Sequence, residues 1–446
     1  MVSMSKIICY VIAKGIRFLA ISFGKRPIVL LDSYLRQLDW IGVSMPSIYR
    51  EGLKRGMFFV QHRVKESKFS SVDSGDELDL QATHRGVNLF STVEYLLYVS
   101  LEIARHEFDP DNPAHRREAN RWMGYARAVT DELIALFDRM HPSVVVIMQG
   151  YFVESAIARQ LAGRFAYQVI AMENTFYSQR LICEPITGIS VNKNSAMAWY
   201  YHDQDRGNCG TNDGYLDDLM MRIDATKLTE HASPKRSFIW PKDRKRILFL
   251  GQCYTDSSLL FGTSGRYSTI EAVRLLLDYA KQRGVFAMLK LHPKENSGDD
   301  TLARPYNQLS LRRLLAAGLS LNLKDHPGQN DHFSVDTENT FATPQLIKDA
   351  DVIVTINSQG GLEALALGKE VVLLGGAFYD RLGTTWNAPH LAVLPAILDS
   401  ILKDGLRLWN RRRIAQFLWT YFEHYCVKKD AKSVVTAIKA RGFHGF

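Results

Sequence analysis

The sequence is poor in cysteine and lacks the cysteine spacings that hold metal ions or staple small folds. Its five cysteines (Cys9, Cys183, Cys209, Cys253 and Cys426) include no C-x-x-C pair in 446 residues. A disulfide framework and a thiolate metal cluster are therefore excluded, and a reducing cytoplasm is the expected compartment. No uncharged apolar stretch reaches the roughly 18 residues of a spanning helix, which excludes a polytopic membrane protein.

Several catalytic signatures are missing as well. The sequence has no H-E-x-x-H zinc motif, no G-x-S-x-G nucleophile elbow and no G-K-[ST] phosphate loop. The D-x-D stretches at residues 109–111 and 203–205 resemble a metal-binding pair, but neither follows a convincing buried strand. We therefore predict no metal site and no resident cofactor.

The charge balance is basic without being clustered. Lysine and arginine number 55 against 47 aspartate and glutamate, a net charge of +8. The basic residues are dispersed among acids, unlike the one-sided clusters that follow a nucleic-acid backbone. An anionic small substrate or an anionic lipid surface fits this surplus better than nucleic acid does.

The N-terminal residues 5–24 form an apolar run that Lys14 and Arg17 interrupt. Two cations in its centre argue against a secretory signal and against a span. Two alternatives stay open: a basic amphipathic helix on the anionic inner membrane, or a first helix packed on the domain.

The middle of the chain alternates between helical and strand patterns, which is typical of a parallel sheet wrapped by helices. The predicted elements are a strand over 144–148, a helix over 153–161 that ends at Gly163, and a strand over 168–172. Open α/β sheets bind ligands beyond the carboxyl ends of their strands. Gly150 and Glu173, which follow these strands, are therefore candidate site residues.

A second set of α/β units follows a linker at residues 211–246. Its predicted strands are 247–250, 285–291, 319–323, 352–356 and 371–374, and its predicted helices start at the capping box Ser268–Glu271, at 310, at Thr343 as the cap before Pro344, and after 361. We predict an α/β fold with two doubly wound domains, residues 1–235 and 236–446. Residues 70–120 are expected to add long loops to the first domain, and the final helices are candidates for crossing back to it.

The loop Asn357–Ser358–Gln359–Gly360–Gly361 is the strongest local signal, because it joins a buried strand to a helix. Two glycines and free amides at a helix N-terminus predict an anion site, with Ser358 adding a hydroxyl and Glu363 reaching a ribose. The alternative is a tight turn in which Ser358 caps the helix and Glu363 only favours its dipole.

The segment Lys290–Leu291–His292–Pro293–Lys294 ends a strand of the same domain. It places an imidazole and lysines beside the glycine loop, where Lys290, His292 and Lys294 are predicted to neutralise a departing phosphate. In the first domain, Glu173 is a candidate acid, base or nucleophile across the cleft between the domains, with Tyr177 and Arg180 nearby. A strand-terminal carboxylate can equally cap the next turn.

Residues 357–365, 368–372, 376–380 and 383–385 together resemble the capsular polysaccharide biosynthesis proteins of Gram-negative bacteria. Those include the β-Kdo transferases, where Kdo is an eight-carbon acidic sugar delivered from CMP. The His292–Pro293 pair is similar to the His-Pro motif of that family, which recurs in bacterial sialyltransferases. Residues 173–180 are similar to its E-x-G-F-x-R pattern, with Thr175 in place of the glycine and Arg180 later than in the pattern.

The resemblance implies a GT-B architecture: two facing Rossmann-like domains, the nucleotide on the C-terminal one, the acceptor on the N-terminal one, and no metal. It implies that His292 and the Ser358 loop bind the nucleotide phosphate, that Glu363 binds the ribose and that Glu173 is the strand-end acid. The expected function is transfer of a sugar from a nucleotide donor, with CMP-Kdo favoured, to a glycan or glycolipid at the cytoplasmic face of the inner membrane. The rivals are a UDP- or GDP-sugar transferase, a glycerophosphotransferase, an epimerase and a non-catalytic capsule-assembly partner.

Overall fold

The chain forms two α/β units. A computed structural model describes residues 26–33, 37–64, 77–185, 214–230, 236–263, 267–296, 307–323, 331–380 and 382–443. Unit 1 comprises the described residues of Met1–Leu101, Asp109–Val191 and Phe422–Phe446, and unit 2 those of Glu102–Phe108 and Asn192–Tyr421. Within these ranges no helix is both long enough and apolar enough to cross a membrane. The basic segment at residues 5–24 lies outside the described residues.

The strands are β1 (Ile28–Asp32), β2 (Phe59–Arg63), β3 (Thr83–His84), β4 (Val87–Asn88), β5 (Val144–Met148), β6 (Gln168–Asn174), β7 (Arg180–Pro185), β8 (Arg246–Leu250), β9 (Phe286–Lys290), β10 (Phe333–Asp336), β11 (Val352–Thr355), β12 (Glu370–Leu373), β13 (Trp386–Asn387) and β14 (Val427–Lys428). The α-helices are α1 (Met45–Lys54), α2 (Leu89–Leu101), α3 (Pro113–Met140), α4 (Val153–Phe165), α5 (Tyr215–Glu230), α6 (Ser257–Gly262), α7 (Thr269–Arg283), α8 (Leu309–Ala316), α9 (Thr343–Asp349), α10 (Gly360–Ala366), α11 (Leu394–Leu402), α12 (Arg411–Trp419) and α13 (Ala431–Phe443). A π-helix, Thr420–Tyr425, follows α12.

The sheet of unit 1 has the order β14-β7-β6-β5-β1-β2. Strands β2, β1, β5 and β6 are parallel, while β7 and β14 are antiparallel to their neighbours. Alternate apolar side chains of the strands pack on α1 and α13, and α2, α3 and α4 pack against one another. The last segment of the chain therefore lies in unit 1, where it adds β14 and α13.

The sheet of unit 2 has the order β10-β9-β8-β11-β12-β13, and its neighbouring strands are parallel. Its strands are short, and every residue of β9, β10, β11 and β12 is buried, as fits strands covered on both faces. The capping box that starts α7 is present, because Ser268 accepts from Ile270 and Glu271 accepts from Ser268. Two doubly wound, Rossmann-like sheets confirm the α/β fold class predicted from the sequence.

Three sequence-based expectations about local structure are wrong. Helix α4 continues through Gly163 and ends where Ala166 adopts the left-handed conformation. Residues 319–323 form no strand, and β10 is the edge strand of the unit 2 sheet instead. The segment is linked to β10 by a hydrogen bond from the Val335 N–H to the Asn322 carbonyl at 3.1 Å. Thr343 is the first residue of α9 and not its cap, since Ala342 holds the cap position.

The region expected to consist of long loops is largely helical where it is described. Helices α2 and α3 occupy most of residues 89–140. The polar stretch before α3 forms its start, because Asn112 Oδ1 accepts from the Ala114 and His115 amides and Pro113 takes the first helical position. Composition alone identified the turn and not the helix that it begins.

Candidate functional site

The carboxyl edge of the unit 2 sheet brings together the loops that follow β8, β9, β11 and β12. Strand β8 lies between β9 and β11, so the loop after β8 separates the His292 segment from the Asn357 loop. The side-chain amide of Gln252 in that loop donates to Asn357 Oδ1 at 3.0 Å and to Ser258 Oγ at 2.7 Å. The site residues predicted in this half of the chain therefore share one edge, as parallel strands require.

Asn357 is a structural residue of this edge. Its Nδ2 donates to the Ser258 carbonyl at 2.7 Å, its backbone N–H donates to Gln252 Oε1 at 3.3 Å, and 2% of the residue is exposed. A Cβ added to Gly262 would stand 2.2 Å from Asn357 Nδ2, so the backbone of α6 approaches at glycine distance. Asn357 therefore fixes the loops to one another, and its role as a phosphate ligand stays a prediction.

The turn from Ser358 to Gly361 holds its own amides. The Gly360 N–H donates to Ser358 Oγ at 3.1 Å, and the Gly361 N–H donates to the Ser358 carbonyl at 3.0 Å. Gln359 is half-buried, and its carbonyl accepts the Leu362 N–H at 3.0 Å. These bonds form a tight turn, and the prediction that the loop binds an anion stays a prediction, since an anion that used these amides would have to replace those bonds.

Tyr379 packs against the turn and binds its first residue. Its hydroxyl donates to the Ser358 carbonyl, and a Cβ on Gly361 would stand 2.2 Å from that hydroxyl oxygen, so residue 361 has to be glycine for this contact. Glu363 lies one turn further along α10 and is 4% exposed. The carboxylate predicted to reach a ribose is thus buried, and that role stays a prediction.

His292 is half-buried directly after β9. Its Nδ1 accepts the Lys294 backbone N–H at 3.2 Å, which leaves the proton of the neutral ring on Nε2. Burial lowers the pKa of His292 below its usual 6.5, and Lys294 and Lys290 lower it further against the opposing pull of Asp256. Near pH 7 this imidazole is therefore a neutral hydrogen-bond donor.

Lys290 is an internal cation, and its role as a phosphate ligand stays a prediction. Its ammonium donates to Asp336 Oδ2 at 2.5 Å and to Asn339, and 3% of its side chain is exposed. Asp336 pairs in register with Lys290 on the neighbouring strand. Lys294, the other lysine of this prediction, is exposed.

Glu295 follows Lys294 in this segment, and its role was not predicted from the sequence. The carboxylate is 1% exposed and accepts from both the hydroxyl and the amide of Ser310, at 2.6 and 3.1 Å. Burial raises its pKa, although the bonds from Ser310 oppose that shift. Glu295 anchors the start of α8 to the His292 loop and so holds the loop in place.

A cleft of about 250 Å³ opens in unit 2 beside these loops. It is lined by residues that follow α6, β12 and β13, namely Gly262, Thr263, Tyr267, Leu373, Leu374, Gly375, Gly376, Asp380, Asn387, Ala388 and Pro389. Gly375 donates to the Ile356 carbonyl at 2.7 Å, which joins the cleft wall to the end of β11. Backbone and side-chain polar groups around an apolar floor are typical of a small-molecule site.

Unit 1 has a carboxyl edge of its own, where Glu173 stands near the end of β6. Glu173 is half-buried, and its Oε1 accepts the Gln149 side-chain amide at 3.3 Å. Gly150, with φ of +111°, turns the chain after β5, and its carbonyl accepts from Arg159 at 3.1 Å. The two predicted residues of this edge therefore lie on the loops of neighbouring strands.

Tyr177 and Arg180 have contacts within unit 1, and their role as acceptor residues stays a prediction. Tyr177 is 3% exposed and packs edge-on against Phe422. Arg180 is 8% exposed and forms an ion pair with Glu423. The hydroxyl of Thr175, which stands where the family pattern has glycine, bonds to the Tyr177 carbonyl at 2.7 Å and so builds the turn.

The sequence analysis also missed a set of titratable groups in unit 1. Glu154 is buried, and Tyr125 donates to its Oε1 at 2.5 Å. His62 contacts Glu132 at 2.8 Å, and Arg63 pairs with Asp32 at 2.9 Å. The partners in each pair come from elements far apart in the sequence, so their contacts could not be predicted. Only Glu154, the second residue of a helix that follows a strand, has a position at which a site residue is expected.

Comparisons with known proteins agree with the resemblance stated above. The family model described as "Capsule polysaccharide biosynthesis protein" matches residues 211–393. Protein FixF of Sinorhizobium fredii (strain NBRC 101917 / NGR234) is 33% identical over 132 residues, 27% of this chain and 31% of that protein. The lipopolysaccharide-processing protein LpsZ of Rhizobium meliloti is 26% identical over 147 residues, 32% of this chain and 28% of that protein.

The matched segment spans less than a third of each of these curated relatives, 31% and 28%. Among solved structures, the KpsC beta Kdo 2,4 transferase of Thermosulfurimonas dismutans is 21% identical, with a TM-score of 0.41, over 64% of this chain and 81% of that chain. The family match confirms the resemblance to capsule polysaccharide biosynthesis proteins over residues 211–393. The chain's two Rossmann-like units are the components of the architecture that this resemblance implies.

Proposed function

We propose that this protein is a glycosyltransferase of bacterial surface polysaccharide synthesis that moves a sugar from a nucleotide donor to a glycan or glycolipid acceptor. The observation that carries the proposal is the extent of the family match. Residues 211–393 include the His292 segment, the Ser358 turn and the whole lining of the cleft. The name of the relative LpsZ, a lipopolysaccharide-processing protein, supports the same class of product.

Kdo delivered from CMP is the donor that we favour, on the resemblance of residues 357–365 and of the His-Pro pair to β-Kdo transferases. In this proposal the cleft of unit 2 takes the nucleotide. The Nε2–H of His292 and the ammonium of Lys294 meet the phosphate as it leaves, because fixed donors stabilise charge that develops there. Because burial lowers the pKa of His292, the ring acts through a hydrogen bond and Lys294 supplies the charge.

Unit 1 carries the acceptor side of the proposal. Glu173 handles the anomeric carbon or the proton of the acceptor hydroxyl, the two roles that a strand-end carboxylate can perform. The protein works at the cytoplasmic face of the inner membrane, where its basic residues meet anionic lipid. We assign no metal ion and no resident cofactor, because in this proposal Lys294 supplies the charge for the leaving group and His292 a hydrogen bond.

The first prediction concerns nucleotide selectivity. A ligand that binds only the folded state stabilises it by RT ln(1 + [L]/Kd), which is about 2.7 kcal/mol at a hundredfold excess over Kd. We expect CMP to raise the Tm of the purified full chain, with CDP, UDP and GDP giving smaller shifts at equal concentration. Differential scanning fluorimetry across the four nucleotides measures this.

The other outcomes of that titration separate the rivals. A selective shift by UDP or GDP would keep the transferase class and discard the acidic-sugar donor. A separate assay identifies the epimerase, which would release an epimerised sugar from a nucleotide sugar without any acceptor. No shift with any nucleotide would contradict the transferase and favour a non-catalytic assembly partner.

The second prediction concerns His292. We expect His292→Ala to lower kcat by about a hundredfold while KM for the nucleotide sugar changes by less than about threefold, because the lost donor acts on charge that develops in the transition state. Initial rates of nucleotide release measure both constants. A loss confined to KM would contradict this role.

Two variants control the experiment. His292→Asn keeps an acceptor for the Lys294 N–H and removes only the Nε2–H, so it should lose turnover as His292→Ala does. His141 belongs to another His-Pro pair, which joins α3 to β5 with φ of +44°. Because asparagine tolerates that conformation, His141→Asn should keep wild-type turnover.

A further inference from the structure

Gln149 occupies a backbone conformation that glutamine rarely adopts. Its φ is +59°, in the left-handed region, and it directly follows β5. Such a conformation is unfavourable for a residue with a Cβ relative to glycine, and it persists where surrounding contacts enforce it. Strained residues of this kind cluster at functional sites, so the contacts of Gln149 decide what the strain is for.

Those contacts all lead to β6. The Gln149 backbone N–H donates to the Met172 carbonyl at 3.1 Å, which extends the pairing of β5 with β6 by one residue. Its side-chain amide donates to Glu173 Oε1 at 3.3 Å. Glycine would adopt this backbone conformation at lower cost, but it has no side-chain amide. The strained conformation therefore keeps a hydrogen bond to Glu173 that glycine could not make.

We propose that Gln149 is a positioning residue that fixes the carboxylate of Glu173 for its reaction, which rests on the proposed function of Glu173. A donor on one oxygen limits the rotation of the carboxylate and directs its second oxygen. The backbone bond from Gln149 to the Met172 carbonyl fixes the residue that carries this amide, and the amide donates to Glu173 Oε1 at 3.3 Å.

The test is Gln149→Gly, because it separates stability from function. Removal of backbone strain should raise Tm by a few degrees, whereas loss of the amide should lower kcat for nucleotide release about 10- to 100-fold, with KM within about threefold of wild type. A purely structural residue would move stability and kcat together. The assay uses the full chain and a panel of CMP-, UDP- and GDP-sugars.

Ala166 provides a matched control in the same unit. It ends α4 with φ of +51°, so Ala166→Gly relieves the same kind of strain and should raise Tm while leaving kcat unchanged. Gln149→Glu keeps the size of the side chain and removes its donor, and it should lose turnover as Gln149→Gly does. Wild-type kcat in either Gln149 variant would overturn the proposal.

A second readout keeps the proposal separate from the proposed function. Loss of a donor to a carboxylate raises the pKa of that carboxyl, so the ¹³C carboxyl signal of Glu173, assigned by its absence in Glu173→Gln, should titrate at higher pH in Gln149→Gly and not in Ala166→Gly. Lys429, which bonds to the adjacent Asn174 at 3.1 Å, is unchanged in both variants. If no nucleotide sugar is turned over by the wild type, the proposed function fails; if the Glu173 titration does not move, the positioning role fails.

Discussion

Replacement of Asp336 by alanine is expected to lower the free energy of unfolding by about 3–5 kcal/mol, because it leaves the Lys290 ammonium buried without its counter-charge. Lys290 is 2% exposed, and its ammonium forms an ion pair with the buried Asp336 carboxylate at 2.5 Å. The substitution also removes the acceptor of the Thr340 and Phe341 amides, at 2.7 and 3.2 Å. Chemical denaturation followed by tryptophan fluorescence measures the loss.

An exposed ion pair of the same unit provides the control. Arg411 and Asp217 are 2.9 Å apart, but their side chains are 43% and 72% exposed. Solvent screens such a pair, so Asp217→Ala should cost at most about 1 kcal/mol. A loss for Asp336→Ala no larger than that for Asp217→Ala would show that Lys290 finds another partner or reaches water.

The pair also explains why sequence reasoning assigned Lys290 to phosphate. A lysine at the end of a buried strand beside a glycine loop has a position that is typical of a phosphate ligand. The sequence correctly placed Lys290 near the end of a buried strand, β9. Its partner comes from β10, a strand of four residues whose pattern is weaker than the leucine-rich residues 319–323. Periodicity therefore selected the wrong segment, and the counter-charge of Lys290 could not be found.

The strands that flank the site were predictable for the opposite reason. Residues 144–148 and 352–355 are continuous β-branched and apolar runs bounded by turn residues, so local sequence and burial favour the same element. Side-chain contacts between loops, such as the Gln252–Asn357 pair, depend on strand order, which the sequence does not contain. Gln149 was missed because a positive φ at a non-glycine residue leaves no trace in composition.

Glu154 leads to the second large expected effect, which reverses the usual behaviour of a carboxylate. Burial raises the pKa of Glu154 from 4.5 to about 7, with smaller contributions from the Asp32 and Glu132 charges and an opposing hydrogen bond from Tyr125. Its Oε2 is buried and has no hydrogen-bond partner among the described residues. The folded protein therefore binds a proton that the unfolded chain has already released above pH 4.5.

The direction of the pH dependence follows from that difference. Between pH 4.5 and about 7 the folded state holds more protons than the unfolded state, so this group lowers stability as pH rises. At about 1.4 kcal/mol per pH unit, the penalty reaches about 3 kcal/mol above pH 7. Glu154→Gln has nearly the same shape, keeps an acceptor for Tyr125 and carries no charge, so the penalty should vanish.

We therefore expect Glu154→Gln to match the wild type in stability near pH 4.5 and to exceed it by up to about 3 kcal/mol at pH 8. Paired unfolding curves from pH 4.5 to 8.5 measure the difference, in which the other titrating groups cancel. Glu118 on α3 is the control of opposite sign: burial raises its pKa, but hydrogen bonds from Arg121, Ser100 and Trp122 outweigh that and lower it. The stabilising contribution of Glu118 is complete once the pH exceeds the 4.5 of the unfolded carboxyl, so Glu118→Gln should be less stable than wild type by an amount that barely changes over the rest of this range. A Glu154→Gln difference that does not change with pH would mean that Glu154 is ionised throughout.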